Sequence, residues 1–203
     1  MSPFDYFFTL YGLVLGLSVS VIATGLATAI QHRRSLRIGW LTPLLAAFVC
    51  LDIASFWETA WQAFRGLPFS YGLLVAGLAI ALVYFVAASL VFPHRIEDGL
   101  ALDDHFWANK RPTLLLTSAA NTLLVLAVIA LARGKGSSGM VASYAITWGL
   151  YVVLIVPAAL SRRRWLVVTC LGLHTAVYLS IAVANLAGTS MRMAASAAEP
   201  RSR

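Results

Sequence analysis

Apolar residues run through this chain in long blocks, and short polar stretches divide them. The blocks lie at about 6–30, 40–64, 70–92, 113–133, 140–160 and 165–187. A helix needs about 20 predominantly apolar residues to cross a bilayer, and each block supplies them. The pattern predicts an all-α polytopic membrane helix bundle of six transmembrane helices. It forms a single domain over 1–190, followed by a disordered tail at 191–203. Pro43 sits near the start of the second block, Pro93 ends the third and Pro112 opens the fourth. Proline suits a helix start, because its missing N–H falls where a helix has orphan donors anyway, and it suits a helix end because it cannot continue the helix. Pro157 lies inside the fifth block and predicts a kink. "RGKGSSG" at 133–139 reads as a flexible loop.

Composition places the chain in the same class. Hydrophobic residues make up 60% and charged residues 11%, against about 25% charged in a soluble domain. Mean hydropathy is +0.82. "MSPFDYFF" lacks a basic leader and carries Asp5. The first apolar stretch also exceeds a signal-peptide core in length, so it reads as a retained span.

Charge then fixes an orientation. The net charge is +7, but the basic residues cluster at span ends, where they set topology rather than recognise nucleic acid. Nine of the fifteen fall on one side: Arg33, Arg34, Arg37, Arg95, Lys110, Arg111, Arg162, Arg163 and Arg164. The other six are Arg65, Arg133, Lys135, Arg192, Arg201 and Arg203. The excess puts the first set in the cytoplasm and both termini outside. Two three-span halves of opposite topology result, a plan that inverted-repeat transporters share, although the halves show no residue-level match.

Helix faces carry the candidate chemistry. In the first span Gly12, Gly16, Ser20, Thr24 and Thr28 recur every fourth residue. Small residues let helix backbones approach closely. Gly12, Gly16 and Ser20 are therefore expected to pack against another helix of the chain, or to form a homo-oligomer face. In the second span, "LDIASFWETAW" puts Asp52 and Glu58 in a very apolar region. At about 100° per residue, Asp52, Ser55, Glu58, Thr59 and Gln62 share an arc of about 120°. Phe56, Trp57, Trp61 and Phe64 are expected on the other side. Glu58 lies near enough to the span end to reach water, but Asp52 is close to mid-span and needs partners. The last span offers Cys170, His174, Tyr178 and Asn185 on one face, and the fourth offers Thr117, Ser118, Asn121 and Thr122. An interior that joins Asp52, Asn121, His174 and Tyr178 would offset the cost of burial through hydrogen bonds. Intramembrane ionisable residues also mark ion or proton pathways. Asp52, Ser55, Glu58, Asn121, His174 and Tyr178 thus form a candidate polar path.

Other chemistry has little footing. His174 is the one histidine well inside a span, so bis-histidine haem has no second ligand at matching depth. HExxH, GxSxG and Walker motifs are absent from the sequence. Cys50 and Cys170 fall within spans and read as apolar filler. No catalytic residue, cofactor or metal site is assigned. The loop "HRIEDGLALDDHFWANKRP" (94–112) holds His94, Glu97, Asp98, Asp103, Asp104 and His105. It could ligate a metal. The simpler expectation is a helix cap at Asp103 or Asp104, with Phe106, Trp107, Lys110 and Arg111 at the membrane interface.

"FDYFFTLYGLVLGLSVSVIATGLATAIQHRRSLRIGW", the "FW" of the second span and "FPHRIEDGLALDDHFWANKRP" together resemble a family of small bacterial integral membrane proteins with no assigned activity. The resemblance covers roughly residues 4–112. It implies a multi-pass protein of the bacterial cytoplasmic (inner) membrane and supplies no site residues. The leading functional expectation is a channel- or transporter-like protein with a polar path for a small ion or small molecule. The alternative is a non-catalytic scaffold or sensor subunit acting through helix packing. An intramembrane enzyme ranks behind both, because no nucleophile–base pair is recognisable. Partners are the lipid bilayer and, through the first span, a second copy; nucleic acid is not among them.

Overall fold

A computed structural model describes residues 3–65, 70–95, 99, 101–133 and 138–198. Six helices follow in order: α1 (Pro3–Gln31), α2 (Leu41–Phe64), α3 (Tyr71–Ser89), α4 (Leu102–Arg133), α5 (Ser138–Leu160) and α6 (Arg164–Ala198). All six are long and apolar enough to cross a bilayer, and the described residues form no strand. The flexible-loop expectation falls mainly on 134–137, outside the described residues. The tail expectation meets a helix that continues to Ala198; 199–203 lie outside the described residues.

The helices close into a ring in the order α1, α3, α4, α5, α6, α2, and α2 also packs on α4 across the middle. α2 is the most enclosed span, with half of its apolar window buried. The two halves of the chain are built differently. α1 packs on α3, whereas α4 and α6 make no corresponding contact among the described residues. The inverted-repeat plan is therefore not reflected in how the halves pack.

α1 corrects the expected small-residue ladder. Its inward positions are Phe8, Tyr11, Leu15, Ser18, Ile22, Gly25 and Ala29, which step by alternating threes and fours. Such a seam averages about 3.5 residues and stays aligned with a neighbouring helix. A strict four-residue ladder instead drifts about 40° per step. Gly12 is buried against the Trp57 indole, but Gly16 faces open space and Ser20 is exposed. The glycine that α1 packs closely in its second half is Gly25, where an added Cβ would run into the base of the Phe92 side chain.

The fourth helix starts ten residues before Pro112, so that proline lies inside it rather than at its opening. Tertiary contacts hold the added turns. Asp103 and Asp104 stand in the first turn, where carboxylates complement the helix dipole. Several polar groups in these turns serve another helix. The Leu41 N–H at the start of α2 donates to the Asp103 carboxylate at 3.3 Å, and Thr42 Oγ1 donates to the Leu102 carbonyl at 2.7 Å. His105 Nε2 lies 3.1 Å from the Leu90 carbonyl at the end of α3. Lys110 Nζ donates to the carbonyls of Ala158, Ala159 and Ser161 at 2.8–2.9 Å. A helix leaves its last carbonyls without partners, and the three ammonium hydrogens meet two of those on α5 and the Ser161 carbonyl just beyond it. Arg164 pairs with Asp103 at 3.6 Å and lies over the Trp40 ring. The Leu102 N–H donates to the Arg37 carbonyl. The three basic loops thus meet at one end of the bundle.

Candidate functional site

Asp52 lies on the most buried stripe of α2, in line with Leu45, Phe48, Val49, Phe56 and Ala60. It is fully buried. Its carboxylate is reached from four other helices. Tyr84 Oη of α3 donates to Oδ2 at 2.9 Å. Tyr178 Oη of α6 donates to Oδ1 at 2.7 Å. Tyr151 Oη of α5 stands 3.4 Å from Oδ2. Asn121 Nδ2 of α4 straddles both oxygens at 3.2–3.3 Å and is closer still, 2.6 Å, to Tyr84 Oη. If that hydroxyl accepts from Asn121, its own hydrogen goes to Asp52, which gives a directed chain Asn121→Tyr84→Asp52. Linked bonds of this kind strengthen one another at low dielectric. α1 joins through rings: Tyr11 stacks on Phe56 and Phe56 packs on Tyr84.

Burying an unpaired carboxylate costs several kcal/mol. The described residues supply no cation to pair with Asp52; the ion pair they contain is Arg164–Asp103. Neutral dipoles therefore carry the offset. An ionised carboxylate only accepts hydrogen bonds, and the surrounding groups can all donate. Each phenol can also rotate to accept. The ring could thus hold Asp52 either ionised or protonated without moving a helix.

His174 lies one turn before Tyr178 on α6 and is buried, as expected, but it does not bond to Asp52. Its ring meets Phe48, Tyr151 and Tyr178 edge-on, with centroids 5.7, 5.1 and 4.6 Å away. Both ring nitrogens are buried without a hydrogen-bond partner among the described residues, as are Ser118 Oγ and Thr175 Oγ1. Two of Asp52's phenols therefore stand between the imidazole and the carboxylate.

The second span departs from its expected division into a polar and an aromatic face. Phe56 and Phe64 are buried on the Asp52 side, whereas Trp57 and Trp61 are exposed. Ser55 is half-buried beside Tyr178. Glu58 is exposed and takes a hydrogen bond from Gln62 at 3.1 Å. The reason is angular: Glu58 stands about 120° around the helix from Asp52, beyond the edge of the buried face. It is not part of the interior cluster.

Sequence reasoning missed Tyr84 and Tyr151. A signal was present. Membrane tyrosines concentrate at the water interface, and both of these sit deep in their spans, where a hydroxyl needs a partner. In the 94–112 loop, no group of three potential metal ligands comes together among the described residues. Comparison of the chain with models of known families, with curated proteins and with solved structures finds no match in any of the three.

Proposed function

We propose that the chain is a small channel- or transporter-like protein of a bacterial cytoplasmic membrane, with Asp52 as the group that a proton or small cation occupies on its way through the bundle. One observation carries this reading: a carboxylate buried in the bundle, met by hydroxyl and amide groups from four other helices and, among the described residues, by no fixed positive charge. An apolar residue there would pack at lower cost, and ionisable groups inside membranes mark ion pathways and proton relays. The phenols supply what a proton site needs, because they can donate to an ionised carboxylate or accept from a protonated one. His174, behind Tyr151 and Tyr178, is the next titratable group along α6.

A second reading has its own support. Both carboxylate oxygens of Asp52 already accept hydrogen bonds from other helices, so the cluster would also serve as a lock on helix register in a non-catalytic scaffold or sensor subunit. The outward faces of Gly16 and Ser20 would then be free to meet a second copy. Reconstituted vesicles separate the two readings. Under the transport reading, wild type dissipates a pH gradient faster than empty liposomes, and Asp52→Asn abolishes that flux while retaining its melting transition. Wild type at the rate of empty vesicles would remove the transport reading and leave the register lock. Flux that persists unchanged in the Asn variant would remove Asp52 from the path.

A further inference from the structure

A second concave site lies at the basic end of the bundle, between the first turns of α4 and the α5–α6 corner. It encloses about 580 Å³ and is lined by Trp107, Lys110, Arg111, Leu160, Ser161 and Arg162, among others. We propose that this cavity binds the phosphate headgroup of an anionic lipid from the adjoining leaflet.

Charge, depth and chemistry point the same way. Among the described residues the lining holds three cationic side chains and no carboxylate. Arg111 and Arg162 are exposed, and no ion pair engages either one among the described residues. The two carboxylates nearest in sequence do not line it: Asp103 is turned toward Arg164 and the α2 N-terminus, and Asp104 is exposed. Lys110 holds the floor rigid, because all three ammonium hydrogens are spent on carbonyls of the α5–α6 corner. Its charge nevertheless stays beside the cavity. Two guanidinium forks at the rim remain for phosphate oxygens, which they bind in paired geometry.

The position selects a lipid over a soluble anion. Trp107 packs under the Lys110 ammonium at 5.3 Å, at the level where indoles lie among headgroups. Exposed Leu160 adds an apolar wall to the cavity, suited to the start of an acyl chain. The apolar run of α4 begins directly after Arg111 and Pro112. A basic pocket between spans at the cytoplasmic surface has the chemistry of an acidic headgroup site.

The test uses the full chain in neutral detergent, titrated with short-chain phosphatidylglycerol, short-chain phosphatidylcholine or glycerol phosphate and read by melting shift. The expected result is stabilisation by phosphatidylglycerol, with the other two far weaker. Arg111→Gln with Arg162→Gln should weaken that binding about thirtyfold, at the usual contribution of a basic side chain near an anionic surface. Each single change should weaken it about fivefold, which keeps a readout if the double variant folds poorly. Arg33→Gln with Arg34→Gln, at the same end but outside the cavity, should leave it unchanged. The proposal fails if the 111/162 variants bind as wild type does, or if the 33/34 control loses as much. It also fails if glycerol phosphate or phosphatidylcholine matches phosphatidylglycerol, since the site would then take a soluble anion or no anion in particular.

Discussion

Replacing Tyr84 by Phe removes one hydroxyl from the Asp52 cluster and leaves the ring that packs on Phe56. The hydroxyl donates at 2.9 Å to Asp52 Oδ2 and stands 2.6 Å from Asn121 Nδ2. Asn121 keeps Asp52 and the Thr117 carbonyl as partners, so the loss falls mainly on the carboxylate. A neutral bond between membrane helices contributes about 0.6 kcal/mol on average, whereas a bond to a charged group contributes about 1.5–3 kcal/mol. If Asp52 is ionised in the resting protein, Tyr84→Phe should therefore cost about 2 kcal/mol. Tyr178→Phe, at 2.7 Å, should cost a similar amount. Tyr151→Phe should cost about 0.5 kcal/mol or less, because 3.4 Å is at the weak limit of a hydrogen bond. On the scale of soluble domains of this length, 2 kcal/mol lowers melting by roughly 4–8 °C. Thermal melting of the three variants in mild detergent reads the order directly. The same changes made on an Asp52→Leu background isolate the coupling, which should absorb most of the Tyr84 and Tyr178 costs. Losses near 0.6 kcal/mol for Tyr84 and Tyr178, with a smaller one for Tyr151, would mean that a neutral Asp52 stands in the cluster. A Tyr151 loss as large as that of Tyr84 would refute the ranking by distance.

Two further outcomes test the packing. Lys110→Met leaves the Ala158, Ala159 and Ser161 carbonyls without their ammonium donor, so stability should fall by about 3 kcal/mol; an unchanged melt would mean that water replaces the lysine freely. Gly25→Leu should cost about 1–3 kcal/mol through collision with Phe92, while Gly16→Leu, facing open space, should stay within about 0.5 kcal/mol of wild type; the opposite order in side-by-side melts would restore the four-residue ladder as the packed seam.

How much of this could be read in the sequence depended on which physical signal was local. Span number and approximate limits follow from runs of apolar residues, a property each segment carries alone. The start of α4 does not. Residues 102–111 are too polar to read as a span, and Pro112 imitates a helix opening. What makes them helical is their work for other elements: Asp103 for α2, His105 for α3 and Lys110 for α5. Those partners lie 15 to 62 residues away along the chain, so no window around Pro112 contains the reason. The α1 ladder misled in a related way. Small side chains permit close approach, but the direction of the approach is set by the seven-residue alternation of Phe8, Leu15, Ile22 and Ala29.

The site was half legible for the same reason. Asp52, Asn121 and Tyr178 stand out because a polar group in an apolar run creates a debt that something must settle, and the structure brings the three together. Glu58 stands out equally, yet it settles its debt at the surface with Gln62. Periodicity alone cannot separate the two, since both belong to one 120° arc and the edge of the buried face falls between them. Tyr84 and Tyr151 were overlooked because tyrosine counts as apolar in a span until its hydroxyl is considered. That hydroxyl is what Asp52 requires. A carboxylate with no cation beside it among the described residues must draw its donors from neutral side chains, and in a lipid-embedded helix the least costly neutral donor is a phenol, most of whose surface is still hydrocarbon. Once Asp52 was placed mid-span, the deep tyrosines of the neighbouring spans were the residues to seek.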